Sequence, residues 1–342
     1  MQLGSEYKQF LIREATSSGD STCSDATVTL WAMRVLVAGA TGLAGSAIVK
    51  EFERHRLQVI QLNRSTVDLL DLPSTRAIVK QIAPNVIIDA AAKVGGIGAN
   101  NSHPVEFLTE NLSIQANLMS AAHEAKVDKF IFLGSSCIYP RDCAQPIKEE
   151  YLLSGPLEQT NSAYAIAKIA GIELVNSYRK QFGYKWISLM PTNLYGPRDN
   201  YNLDSSHVLP ALIRRFVEAE QNDVREVVLW GDGSPLREFL HVDDLASAVF
   251  FATQEYDSDL HLNIGTGIEV TIMELARKIA KAVGFEGEIK WDLSKPTGTP
   301  RKVLDVSRIT ALGWSPSITL DDGIISTIKW YRDAVSRGEV RK

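Results

Sequence analysis

Between Arg34 and Met190 the chain repeats one pattern: a short run of consecutive apolar residues, then a longer stretch with helical spacing. The runs are Arg34-Val35-Leu36-Val37-Ala38, Val59-Ile60-Gln61-Leu62, Val86-Ile87-Ile88-Asp89-Ala90-Ala91, Phe130-Ile131-Phe132-Leu133 and Trp186-Ile187-Ser188-Leu189-Met190. Strands that are apolar on both faces need helices on both sides, so the pattern predicts parallel strands joined by crossover helices. The first such helix is expected over residues 43–56. The expected class is α/β, a Rossmann-type doubly wound parallel sheet.

Beyond Pro191 the texture changes. Gly, Pro and Asn become frequent, the apolar runs shorten to residues 227–230 and 261–264, and helical spacing returns at 271–283 and 324–335. This predicts a Rossmann domain over residues 33–190 with returning segments, and a smaller mixed C-terminal lobe, mainly for substrate, over 191–342. The cleft between them, at the carboxyl ends of the strands, is where doubly wound sheets bind ligands. Residues 1–32 carry Glu6, Glu14, Asp20 and Asp25 and a Ser/Thr-rich stretch, and Met33 stands just before the first strand. They read as a flexible extension and lack the basic start and apolar run of a secretory signal.

Gly39-Ala40-Thr41-Gly42-Leu43-Ala44-Gly45 follows the first strand and opens the first helix. Glycines there permit a tight turn and let backbone N–H groups approach a pyrophosphate at the positive helix end. A glycine triple at G-x-x-G-x-x-G spacing alone also fits an ordinary strand–helix turn; the strand before it and the helix after it favour the dinucleotide site. At the end of the second strand the chain reads Gln61-Leu62-Asn63-Arg64-Ser65, a cation where NAD binders place an acid. Arg64 therefore points to NADP(H), unless it is simply a solvated arginine.

Ser162-Ala163-Tyr164-Ala165-Ile166-Ala167-Lys168 holds a Y-x-x-x-K pair, which shares one helix face. The Lys168 cation is expected to lower the Tyr164 pKa from about 10 and prepare the phenol for proton transfer. Leu133-Gly134-Ser135-Ser136-Cys137 puts hydroxyls just past the fourth strand, where Ser135 is positioned to bond a substrate oxygen as charge develops on it. As an isolated motif the Tyr–Lys pair is a common surface pattern. In this order after a nucleotide turn and a strand-end serine, it indicates reductive chemistry.

Composition narrows the setting. A net charge of −5 over 342 residues argues against nucleic acid as a partner. Cys23, Cys137 and Cys143 form no paired framework, which suits a reducing compartment, and no apolar run approaches the roughly 20 residues that span a bilayer. A cytoplasmic enzyme without a metal is expected.

Longer stretches carry a more specific signal. They are residues 90–97 (AAAKVGGI) with Ala99-Asn100-Asn101, residues 133–140 (LGSSCIYP), 164–171 (YAIAKIAG), 190–197 (MPTNLYGP), 206–212 (SHVLPAL), 236–244 (LREFLHVDD) and 298–302 (GTPRK). Through these the chain resembles the GDP-L-fucose synthase family of extended short-chain dehydrogenase/reductases, from about residue 33 to 330. The resemblance implies epimerisation of GDP-4-keto-6-deoxy-D-mannose at C3 and C5, then reduction at C4 by NADPH. It implies Ser135, Tyr164 and Lys168 as the reductive triad and Cys137 and His207 as the epimerisation pair. It implies cofactor contacts from the glycine turn and from Leu133, Gly134, Ser136, Pro191, Thr192, Asn193, Leu194 and His207, and sugar-nucleotide contacts from Arg215, Trp230, Arg237 and Lys302. From the residues alone, Cys137 is equally a small buried hydrophobe and His207 equally a cap for a helix beginning near Pro210.

Four positions depart from the family pattern: Ala40-Thr41 replaces a His-Arg pair in the turn, Thr297 replaces an aspartate near substrate, and Gln159 replaces a proline. The rival readings are a sugar-nucleotide 4-epimerase or 4,6-dehydratase, and a silent NADP-sensing module. Dehydratases usually set an acid beside the strand-end hydroxyl, whereas Ser136-Cys137 stand here with no carboxylate until Asp142. Silent modules commonly lose the tyrosine or the lysine. Residues 107–125 and 164–182, rich in small and apolar side chains, are expected to pair across a homodimer as a four-helix bundle; the alternative is packing against their own sheet.

Overall fold

The computed structural model describes residues 33–203, 205–295 and 298–340, so the N-terminal extension, Cys23 and Thr297 lie outside the described residues. Six strands form one fully parallel sheet: β1 (Arg34–Ala38), β2 (Gln58–Leu62), β3 (Val86–Asp89), β4 (Lys129–Leu133), β5 (Ile187–Pro191) and β9 (Leu262–Ile264). Their order is β2-β1-β3-β4-β5-β9. The chain runs outward from β1 in one direction to β2 and then in the other to β3, which opens a crevice at the strand ends. β9 arrives from beyond Pro191, so the C-terminal half returns a strand to the sheet.

Both sheet faces are buried, which explains the unbroken apolar runs. Val35, Val37, Ile88, Ile131 and Leu189 pack under α1 (Leu43–Arg54) and α7 (Val242–Glu255), where Phe52 meets Phe250 edge-on with ring centres 5.2 Å apart. Leu36, Ile87, Phe130 and Phe132 pack on the other face under α2 (Leu72–Ile82), α4 (Pro104–Glu124) and α5 (Ser162–Phe182). Gly171 of α5 sits directly on Phe132, and a Cβ there would come within 2.3 Å of the ring.

A separate core gathers α6 (Val208–Gln221), α8 (Ile272–Val283) and α10 (Leu320–Ser336) around Phe216, Leu275 and Tyr331. Thr271 and Glu274 form a reciprocal capping box at the start of α8, and Gly284 ends it in the left-handed conformation. Beside this core, β7 (Glu226–Trp230) pairs with β11 (Glu288–Asp292). β8 (Leu236–His241) takes β10 (Glu269–Thr271), β12 (Arg301–Lys302) and β6 (Asn193–Tyr195) as partners. Among the described residues no helix is long and apolar enough to cross a membrane.

Glu238 ties this small sheet together. Its carboxylate is fully buried; Oε1 accepts from the N–H groups of Thr266 (2.6 Å) and Gly267 (2.7 Å), and Oε2 from Leu304 N–H (2.9 Å). Both oxygens are acceptors, so Glu238→Gln turns an NH2 toward a backbone donor and orphans it. The expected cost is about 2–3 kcal/mol in urea unfolding, and a midpoint equal to the parent protein's would refute this account of the staple.

Candidate active site

A cavity of about 2180 Å³ opens at the carboxyl ends of the parallel strands and reaches into the C-terminal lobe. The glycine turn forms part of its wall: Gly39, Thr41, Gly42, Leu43 and Ala44 line it. Gly39 has φ of +77°, and a Cβ there would lie 2.7 Å from Ala90 O, so only glycine fits. Gly42 caps α1 without a side-chain bond, leaving the first N–H groups of the helix for an anion. Gly45 and Ala40 do not line the cavity. A Cβ on Gly45 would sit 2.1 Å from Gly39 O, and Ala40 is buried in the sheet core, so both shape the turn from behind. These features fit a bound dinucleotide. Arg64 lies exposed on the wall with Asn63 and Ser65, whose turn is held by Asn63 Oδ1 accepting from Ser65 N–H at 2.8 Å.

Tyr164 stands in the first turn of α5 and Lys168 one turn on, so the helix presents both toward the end of β4. Lys168 is almost wholly buried and reaches the site from beneath: Nζ donates to Leu133 O at 2.8 Å and lies 5.9 Å from the Tyr164 ring centre. Leu133 and Lys168 thus support the cavity without lining it. Burial pushes the Lys168 ammonium down to about 8, against the opposing pull of Asp89. The expected depression of Tyr164 by Lys168 is not what the protein does. Burial holds the phenol well above its ordinary value, nearby Cys137 raises it further, and a hydrogen bond from Ser135 is the influence drawing it back. Over this distance in a dry interior, desolvation outweighs the lysine charge.

Ser135 caps a single 3-10 turn (Ser136–Ile138), its Oγ accepting from Cys137 N–H at 3.2 Å. That turn aims Ser135, Ser136 and Cys137 into the cavity. The Cys137 sulfur receives Asn161 Nδ2 at 3.4 Å and Lys302 Nζ at 3.7 Å. His207 lines the same space as the residue before α6 and makes no side-chain capping bond, which removes the capping alternative. The ring is open to the cavity yet closely surrounded by protein, and lost solvation followed by the Lys302 charge lowers its pKa below the usual imidazole value.

Pro191 at the end of β5, Thr192 after it, and Asn193 and Leu194 at the start of β6 line the cavity. Arg215, Trp230 and Arg237 line its C-terminal side. Trp230 leaves 63% of its surface open, Arg215 donates to Val228 O at 3.1 Å, and Arg237 donates to Leu236 O at 2.8 Å. Lys302 pairs with Arg237 across β12 and β8, so one strand pair delivers two cations. The Lys302 ammonium extends toward Cys137 and His207. Reading the sequence missed Asn161 and Glu158. Glu158 faces Arg141 at 3.5 Å and accepts from Thr299 Oγ1 at 3.5 Å. Nothing in their local sequence signals partners so remote.

The fold and this arrangement are those of an extended short-chain dehydrogenase/reductase. The model of the NAD dependent epimerase/dehydratase family matches residues 35–265. GDP-L-fucose synthase 1 of Arabidopsis thaliana is 52% identical over 299 residues, 87% of this chain and 93% of that protein. GDP-L-fucose synthase of Escherichia coli K12 is 47% identical over 316 residues, 89% and 98% of the two chains. The solved structure of a GDP-L-fucose synthetase from Naegleria fowleri bound to NADP superposes with a TM-score of 0.83 at 29% identity, covering 91% of this chain and 97% of that one. The chain belongs to the NAD dependent epimerase/dehydratase family and, within it, to the GDP-L-fucose synthase family; it is a nicotinamide-dependent enzyme.

Proposed function

We propose that this protein converts GDP-4-keto-6-deoxy-D-mannose to GDP-L-fucose by inverting C3 and C5 and then reducing the C4 ketone with NADPH. The observation that carries the reading is one wall of one cavity on which Ser135, Cys137, Tyr164, His207 and Lys302 meet, within a space shared with the glycine turn. In this reading residues 191–342 mainly hold the sugar nucleotide, with Arg215 and Arg237 suited to a diphosphate and Trp230 to a ring.

The 4-ketone acidifies the hydrogens on C3 and C5, so one base and one acid serve both inversions through enolates. Cys137 takes the proton and His207 returns one to the opposite face. Burial and the Lys302 charge favour the neutral ring, so His207 takes up a proton before it can return one. The Lys302 ammonium beside both groups stabilises negative charge as the enolate forms. When bound, NADPH supplies the hydride to C4. Ser135 and Tyr164 then hydrogen-bond the developing alkoxide, Tyr164 gives up its proton, and Lys168 steadies the resulting phenolate. Gly39, Gly42 and the start of α1 suit the pyrophosphate, and Arg64 suits a 2′-phosphate.

Incubation with GDP-4-keto-6-deoxymannose and NADPH, in parallel with NADH, tests the reading. GDP-L-fucose is the expected product. Consumption of NADPH with C3 and C5 uninverted would identify a simple 4-reductase and overturn it. Arg64→Ala is expected to raise KM for NADPH about tenfold, the equivalent of about 1.4 kcal/mol, with a smaller effect on NADH; equal effects on the two cofactors would remove Arg64 as the discriminator. We also propose a homodimer through the outer faces of α4 and α5, where Val105, Ile166 and Phe182 stand exposed. A monomer in sedimentation at micromolar concentration rules it out.

A further inference from the structure

Asp89 closes β3 and is 1% exposed. Two other buried carboxylates are saturated by donors: Glu238 as described, and Asp244 by the N–H groups of Ser317 and Ile318. Asp89 is not. Its Oδ1 accepts from Ala91 N–H at 3.2 Å, and its Oδ2 has no hydrogen-bond partner among the described residues. Leaving a buried carboxylate half-bonded is unfavourable unless a charge nearby compensates it.

The sheet register identifies that charge. Asp89 aligns with Phe132 on β4, and by strand alternation it shares a face with Ile87, under α4 and α5. The Lys168 ammonium lies on this face, 4.8 Å from the Phe132 ring centre, and donates to the carbonyl of the next residue, Leu133. On α4 the buried, neutral Gln115 donates to Ala167 O, one residue before Lys168, at 2.7 Å. The other titratable groups near this face are Tyr164 on α5 and the ion pair of Lys93 with Glu110, which joins the segment after β3 to α4.

We propose that Asp89 is a positioning residue for Lys168, a buried counter-charge that keeps the ammonium charged and seated on the Leu133 carbonyl, facing Tyr164. The role rests on the reductive reading of the Tyr164–Lys168 pair. Mutual attraction is consistent with the titrations: burial raises Asp89 to about 6 against the pull of Lys168, and burial lowers Lys168 to about 8 against the pull of Asp89. Between these values both groups are ionised. Loss of the carboxylate removes the influence that raises Lys168, so the lysine gives up its proton at lower pH.

The test is Asp89→Asn in the full-length protein, since asparagine keeps an oxygen for the Ala91 N–H and removes only the charge. Two pH profiles are measured on folded protein: NADPH binding by fluorescence, which needs no sugar, and kcat for keto-sugar reduction. The basic limb of each is expected to move about one pH unit lower, while the plateau rate falls less than tenfold. Carboxyl 13C NMR of the parent protein, which does not depend on the variant folding, is expected to show Asp89 titrating near pH 6. Binding limbs that coincide for parent and variant, or an Asp89 carboxyl titrating near 4, would overturn the role. A parent protein that binds NADPH with the expected basic limb but leaves the keto-sugar unreduced sinks the substrate reading alone.

Discussion

Replacing Tyr164 with phenylalanine is expected to lower kcat for NADPH oxidation about 10³-fold, within the range for a lost general acid, and to leave NADPH affinity within about threefold. The ring still packs, because phenylalanine differs by one oxygen and the edge-on contact with Phe107, 6.3 Å between ring centres, needs no hydroxyl. What disappears is the proton for the C4 alkoxide. The protein holds this phenol high, so it stays protonated throughout the neutral range and is suited to act as an acid. Reduction therefore needs no prior protonation of Tyr164. Pre-steady-state mixing with NADPH separates binding from hydride transfer, and a variant with kcat within tenfold of the parent would remove Tyr164 as the proton donor.

Cys137→Ser has the second large effect and divides the reaction. Solvent-deuterium exchange at C3 and C5 of the keto-sugar is expected to fall at least about 10²-fold. NADPH binding is expected to stay within about twofold. The proton acceptor is the anion, and a thiol, which ionises near 8.5 when free, supplies far more of it at neutral pH than a serine hydroxyl does. The geometry favours the sulfur as the acting atom: two N–H donors, Asn161 Nδ2 and Lys302 Nζ, converge on it. Exchange followed by mass spectrometry, with NADP+ in place of NADPH, isolates this half-reaction. Deuterium incorporation at the parent rate would exclude Cys137 as the base.

Both predictions join residues that the chain order keeps well apart. The Tyr164–Lys168 pair is legible because one helical turn separates its members, and the nucleotide turn is legible because its glycines and flanking strand are contiguous. The helix ends at Thr271 and Gly284 were likewise marked by local capping chemistry. By contrast, Lys302 reaches Cys137 across 165 residues. Its place follows from the register of a two-residue strand, β12, on β8. No periodicity in the sequence specifies that register.

By itself the sequence determined the parallel sheet, the nucleotide turn, the order of the catalytic motifs and the family, because each depends on neighbours within a few residues or on a repeating apolar period. Only the tertiary structure decided the electrostatics. It turned the expected lysine-activated tyrosine into a buried phenol held high, gave Lys168 a counter-charge in Asp89, and set Lys302 against Cys137 and His207. The physical reason is that burial and Coulomb terms depend on everything packed around a group, and those surroundings exist only once distant segments have met.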